Sequence, residues 1–240
     1  MLIPLRDGTQ TTSPKLDRLI QFDERSRGFS IRPQVALKTP RSYTWRCTPN
    51  FDQGREGACV AFALGHELAA RPSEVKGITR SNLISKVYWE AQRNDPWAGG
   101  SYPGAVPFYE GTSVLAGVKA LHHLGAFEEY RWAFGLNDLV LGVGYNGPAV
   151  IGVNWYQGMH NTDPSTGYIR ALGEVAGGHA VLVRGVNIKE SRFTIRNSWG
   201  EDWGTGGDAY ISFSDMEKLL YEYGEAVFVK KRKTTFTWDS

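Results

Sequence analysis

The chain has 240 residues, 41% of them hydrophobic, with 27 Lys and Arg against 25 Asp and Glu and a formal net charge of +2. That is enough apolar material for one large domain or two small ones, so a disordered tail is excluded, and the balanced charge supplies no general reason to bind nucleic acid. No run approaches the roughly 18 consecutive apolar residues of a membrane span, and the opening MLIPLRDGTQ has no apolar stretch behind a basic start, so neither a membrane anchor nor a secretory signal is expected.

In chain order, residues 1–44 are polar, with scattered Arg, Pro and Ser, and show neither helical periodicity nor an alternating apolar run. They read as an N-terminal arm or a pro-like segment. From Cys59 the pattern becomes CVAFALGHELAA, a helix-favouring run that should end before Pro72. A second helix is predicted over Ser81 to Arg93, and a third, SVLAGVKALHHL, follows the Gly111-Thr112 turn and stops at Gly125. After Pro148 the grammar changes to strands: AVIGV, HAVLVRGV, FTIRNSW, DAYISF and EAVFV, separated by Gly-rich or charged turns. Helices first and strands second give an α+β fold in two lobes, 45–145 mainly helical and 146–240 mainly stranded. The Lys230 to Lys233 run is read as a solvated strand end.

Two cysteines, Cys47 and Cys59, are too few for a bridge-stapled scaffold and lack the spacing of structural zinc, so a reducing compartment is the simpler expectation. Cys59 opens its helix after a turn-forming run, Gln53 to Ala58, which should leave the thiol exposed at the helix start. Unpaired N–H groups and the helix dipole favour thiolate there and can also hold an oxyanion. A small buried core cysteine is the bland alternative.

A nucleophilic thiol needs a base, and geometry sorts the five histidines. His66 lies seven residues further along the same helix, about 10 Å from Cys59. His122 and His123 are adjacent helical residues that diverge by about 100° and do not share an ion. His160 falls in a polar loop and is expected at the surface. His179 begins the alternating strand HAVLVRGV after Gly177-Gly178, at the rim of a sheet. If 179–186 and 190–197 pair as an antiparallel hairpin, 186 meets 190 and 179 meets 197, which is Asn197. Its side-chain oxygen would then orient the imidazole, although a one-residue slip would put the two on opposite faces. Gln53 offers a side-chain amide to a developing oxyanion, or is an exposed loop residue. Trp199 either shields the Asn197 to His179 bond from water or, with Trp203, packs over a tight turn.

These residues resemble three boxes of the papain-like cysteine peptidases: Gln53-Gly54-x-x-Gly57-x-Cys59 with Ala61-Phe62-Ala63, then Gly178-His179-Ala180-Val181, then Asn197-Ser198-Trp199-Gly200-x-x-Trp203-Gly204-x-x-Gly207. The resemblance extends more weakly through Gly111-Thr112-Ser113 and Gly147-Pro148. It implies a helical left lobe, an antiparallel β-barrel right lobe and a cleft between them, within a peptidase domain over 45–240. It also implies Cys59 as nucleophile, His179 as base and then acid, Asn197 as orienter, and Gln53 with the Cys59 N–H as oxyanion hole. The implied activity is hydrolysis of peptide bonds through a thioester, on a peptide or protein substrate, with no metal or cofactor and no nucleic-acid or membrane partner. Gly111 and Thr112 are expected to hydrogen-bond an extended substrate, Trp199 to be a further substrate-binding residue, and Gly152 to line the main side-chain pocket, which is expected to take a bulky apolar or aromatic residue.

The sequence departs from the family at Val60, where many relatives carry Trp, at Glu56, where secreted relatives carry a bridged cysteine, and at Asp208, where an aromatic is usual. The missing bridges suit a cytoplasmic or phage-associated protein. Two other functions fit the same residues: a silent peptide-binding relative, and a Cys-His amidase acting on cell-wall or isopeptide bonds. Residues 1–44 are expected to cross the cleft.

Overall fold

The computed structural model describes residues 2–13 and 15–238. The N-terminal arm carries short elements: β1 (Ile3–Pro4) and β2 (Gln10–Thr11), paired with each other, then β3 (Arg18–Leu19), a 3-10 turn at Glu24–Phe29, α1 (Arg32–Val35) and β4 (Tyr43–Thr44). Leu16, Leu19 and Ile31 are 0% exposed and Val35 is 1% exposed. Burying such a side chain stabilises by roughly 1.5–3 kcal/mol, so the arm is held by core contacts. Sequence periodicity gives no sign of this, because its apolar anchors are spaced for neither a helix nor a strand.

The helical part begins with α2 (Cys59–Ala69), followed by α3 (Arg80–Asn82), a π-helical stretch at Leu83–Tyr88 and α4 (Trp89–Asn94). Thr79 starts the second group through reciprocal bonds with Asn82, a capping box that satisfies two free donors. After β5 (Thr112–Ser113), Ser113 caps α5 (Val114–His123) by accepting the Ala116 N–H at 3.0 Å, and the chain leaves at Gly125 with φ of +77°.

Two elements interrupt the expected order of helices before strands. β6 (Phe127–Ala133) is a strand within the first half, and α6 (Leu136–Tyr145) follows it. Within Phe-Glu-Glu-Tyr-Arg-Trp-Ala only Phe127, Trp132 and Ala133 are buried, so no alternation marks this edge strand in the sequence. The remaining elements are β7 (Ala149–Tyr156), β8 (Val175–Asn187), β9 (Arg192–Arg196), β10 (Asp208–Ser212), α7 (Phe213–Tyr221) and β11 (Glu225–Arg232). The strands form one seven-stranded antiparallel sheet in the order β10-β9-β8-β7-β11-β6, with β4 also paired to β8.

Alternation divides this sheet between two cores. Ile151, Val153, Trp155, Val181, Val183 and Phe228 join one apolar cluster, whereas Val150, Ala180, Leu182 and Val227 join another that contains Cys59, Phe62, Leu64 and Leu115. Helix α2 therefore packs on one face of β8 while the other face belongs to the stranded lobe, and residues at the end of that strand reach both. Asp208, unusual by sequence, bridges Arg184 and Arg196 at the start of β10, a local reason for an acid there. No helix among the described residues is long and apolar enough to cross a membrane.

Candidate active site

Cys59 is the first residue of α2, as its sequence context predicts, but it is 0% exposed where an exposed thiol is expected. Ala58 offers no side-chain cap, so the first N–H groups of the helix are free to bind something else. The Cys59 N–H donates to Asp17 Oδ1 of the arm at 3.4 Å. Cys59 shares a buried cluster with Ala180, the residue that follows His179.

His179 lies inside β8, opposite Val153, and is fully buried where the rim of a sheet is expected. Its strand begins four residues earlier than the sequence suggests, at Val175. The hairpin register also differs: Val186 meets Phe193 and Asn187 meets Arg192, so the turn-proximal pairing is three residues off the predicted one. An odd offset would put His179 and Asn197 on opposite faces. A bulge between Val183 and Gly185 absorbs one residue, after which Leu182 meets Arg196, and the remaining offset of two keeps both side chains on one face as diagonal neighbours. The His179 Nε2 to Asn197 Oδ1 contact is 2.8 Å. Asn197 Oδ1 also accepts the Ser198 N–H at 2.8 Å, which fixes the orientation of the amide. A carbonyl oxygen only accepts, so the ring proton is on Nε2 and Nδ1 carries the free lone pair. That nitrogen makes no hydrogen bond.

Aromatic rings enclose the pair. Trp199 lies 4.9 Å from the His179 ring at 30°, and Trp155 stands edge-on at 4.7 Å. Trp199 therefore covers the imidazole itself. Trp155 is not among the residues singled out by sequence, although alternation through Ile151 and Val153 carries to it. Gln53 is 0% exposed, not a surface loop residue: its Oε1 accepts from Ser198 Oγ at 2.8 Å, and its Nε2 donates to Glu56 O at 2.9 Å and Lys15 O at 3.3 Å.

The arm thus occupies the cleft. Lys15 and Asp17 take the Gln53 amide and the Cys59 N–H, the two donors that sequence assigns to an oxyanion. Thr112 N–H donates to Asp17 O at 3.3 Å, and β3 pairs in parallel with β5, Arg18 opposite Thr112. Gly111 points its own N–H elsewhere, to the Tyr88 hydroxyl at 3.0 Å. A Cβ on Gly178 would stand 2.1 Å from Arg18 O, so only glycine admits a backbone this close to the histidine. Gly152 faces the Arg18 side chain. No sequence pattern marks Lys15, Asp17 or Arg18, since their roles depend on which chain segment crosses the cleft.

Burial sets the charge states. Removal from water pushes the Cys59 thiol well above its ordinary value, and the Asp17 carboxyl adds to the effect. Burial lowers His179 to about 3, against a smaller opposing effect of its Asn197 bond. Asp17 is itself pushed well up, chiefly by burial. The covered site therefore holds a neutral thiol and a neutral imidazole. Of the other histidines, His66 is buried and accepts the Phe51 N–H at 3.0 Å, His122 and His123 are exposed, and His160 lies half-buried with its ring 5.9 Å from Trp199. Neither cysteine is in a disulfide.

No protein-family model matches the sequence. A protein of Blomia tropicalis named cysteine protease is 28% identical over 192 residues, which cover 76% of this chain and 50% of that protein. The chain thus spans about half the length of that relative. Xylellain, a cysteine protease from Xylella fastidiosa, superposes with a TM-score of 0.71 at 18% identity, over 94% of this chain and 99% of that one. Digestive procathepsin L 3 of Tenebrio molitor gives 0.58 at 15% identity, covering 89% and 83%. A Carica candamarcensis cysteine protease in complex with E-64 gives 0.55 at 18%, covering 81% and 100%. The chain has the α+β two-lobe fold of the papain-like cysteine peptidases.

Proposed function

We propose that the protein is a cysteine peptidase in which Cys59, His179 and Asn197 carry the reaction. The observation that supports this most is the 2.8 Å His179 to Asn197 bond, which leaves the Nδ1 lone pair free on the strand against which the helix begun by Cys59 packs. His179 Nδ1 takes the thiol proton as the sulfur attacks a peptide carbonyl, and the Gln53 amide with the Cys59 N–H receives the oxyanion. The C–N bond breaks, the proton passes from His179 to the leaving amine, and the acyl group stays on sulfur as a thioester. Water, deprotonated by the same imidazole, then releases the acid and restores the thiol. Asn197 holds the ring in the working tautomer, and Trp199 keeps water from that bond.

The substrate on this reading is a peptide or protein bound as an extended strand along Thr112. Residues 1–44 act as the cover of a peptidase domain over 45–240, and displacement or trimming of the arm precedes turnover. The unpaired Cys47 and Cys59 support a reducing location, cytoplasmic or phage-associated.

The test is hydrolysis of fluorescently labelled casein by the full-length Asp17→Ala protein. Fragment release that disappears when Cys59→Ala is added is the expected result. Release that survives Cys59→Ala removes the thiol chemistry, and turnover of peptidoglycan fragments without casein replaces the peptidase with an amidase.

A further inference from the structure

The arm leaves one side chain in a built pocket. Arg18, next to the residue that sits over Cys59, turns its guanidinium inward, where Nε and Nη2 reach Glu225 Oε1 at 3.1 and 2.8 Å and Nη2 also reaches Tyr223 O at 2.8 Å. The Arg18 side chain is 0% exposed and that of Glu225 is 4% exposed. Glu225 pairs with Gly152 across β11 and β7, and a Cβ on Gly152 would stand 2.6 Å from Arg18 Nε and 2.7 Å from Val114 Cγ2. The glycine therefore makes room for a guanidinium stem, Val114 supplies an apolar wall, and Glu225 with the Tyr223 carbonyl closes the inner end. Arg18 Nη1 has no partner, so a donor remains free inside the pocket.

These groups belong to the peptidase domain and stay when the arm leaves. A buried carboxylate with no counter-charge is costly, and burial pushes the Glu225 pKa up while Arg18 opposes it. The vacated pocket would hold an acceptor-only floor that an apolar side chain leaves unpaired and a planar guanidinium satisfies with two donors. We propose that this pocket is the substrate's side-chain pocket, that it selects arginine in the residue preceding the one with the scissile carbonyl, and that Glu225 is the residue that sets this choice. The proposal rests on the peptidase reading and replaces the apolar or aromatic side chain expected from Gly152 alone. The chain's own arm occupies the pocket as the substrate's arginine does.

The test uses the full-length Asp17→Ala/Arg18→Ala protein, in which the pocket is emptied and the acid over Cys59 removed. Three fluorogenic peptide amides differ only in Arg, Lys or Leu at that residue. The expected result is kcat/KM for Arg at least about 10-fold above Leu and above Lys, because a site built to hydrogen-bond a polar group discriminates strongly against its absence. Adding Glu225→Gln should collapse the ratio. Leu turned over as well as Arg, or a ratio that survives Glu225→Gln, overturns the proposal. If no peptide is cleaved, the peptidase reading fails and the pocket is judged without catalysis. A rise in the Tm of Asp17→Ala/Arg18→Ala with millimolar propylguanidinium, absent with propylammonium and absent in Asp17→Ala/Arg18→Ala/Glu225→Gln, then upholds the guanidinium site; no rise overturns it.

Discussion

The Asp17 carboxylate accepts the Cys59 backbone N–H at 3.4 Å, so an acidic side chain from the arm rests on the donor that a tetrahedral oxyanion requires. The same acid raises the pKa of the thiol, second only to burial. Asp17→Ala in the full-length protein removes this acid and admits water, and both changes favour thiolate. The pH at half-maximal alkylation by iodoacetamide should move down relative to wild type, and the rate at pH 7 should rise by about 10-fold or more, one pKa step being one factor of ten in thiolate. An unchanged pH profile would show that Asp17 does not govern the thiol.

Asn197→Ala removes the acceptor that fixes the imidazole. With its Nε2–H unpaired inside the Trp155 and Trp199 enclosure, the ring loses both tautomer and orientation. In the Asp17→Ala background kcat should fall by about 10² or more with KM little changed, since general-base contributions are of that order. A change confined to KM would assign Asn197 to binding.

Gln53→Ala deletes the second donor of the proposed oxyanion hole and frees Ser198 Oγ. The expected loss in kcat is about 10² to 10³, the range for one such donor. Steady-state kinetics on a fluorogenic peptide checks this, and a loss below about threefold would place the oxyanion elsewhere.

Glu67 shapes the pH dependence of stability. It is buried in α2 with no hydrogen bond on either carboxylate oxygen and the Arg232 Nε at 3.8 Å, and burial raises its pKa from 4.5 to about 7. The folded state therefore binds the proton more tightly than the unfolded chain. Its stabilisation is fully present below about pH 4.5 and is lost as pH rises through about 7, by about 3 kcal/mol at pH 8. Glu67→Gln should flatten this decline, so the variant's Tm exceeds the wild type's at pH 8 by more than at pH 5. Parallel Tm curves over that interval would exclude the effect.

The sequence shows its helices through caps and punctuation, with Ser113 and Gly125 bounding α5 where expected. Cys59, His179 and Asn197 are legible as candidates through local boxes and their order. The hairpin register is not legible, because a bulge at 183–185 depends on pairing across β8 and β9 and not on turn chemistry. Helix α7 and strand β6 are also illegible: the helix is short, and the strand is charged, lies at a sheet edge and has no alternating burial. The least legible part is the arm. Asp17 and Arg18 acquire meaning only from Cys59 and Glu225, 42 and 207 residues away along the chain.

The most direct test of a covered Cys59, His179 and Asn197 site is intact-mass analysis after brief exposure to an epoxide inhibitor of thiol peptidases. It compares the full-length wild type, Asp17→Ala, Cys59→Ala, and Asp17→Ala/His179→Ala. The account predicts a single adduct that forms faster on Asp17→Ala than on wild type, is absent from Cys59→Ala and nearly lost without His179. An adduct on Cys59→Ala, or equal labelling with and without His179, would contradict it.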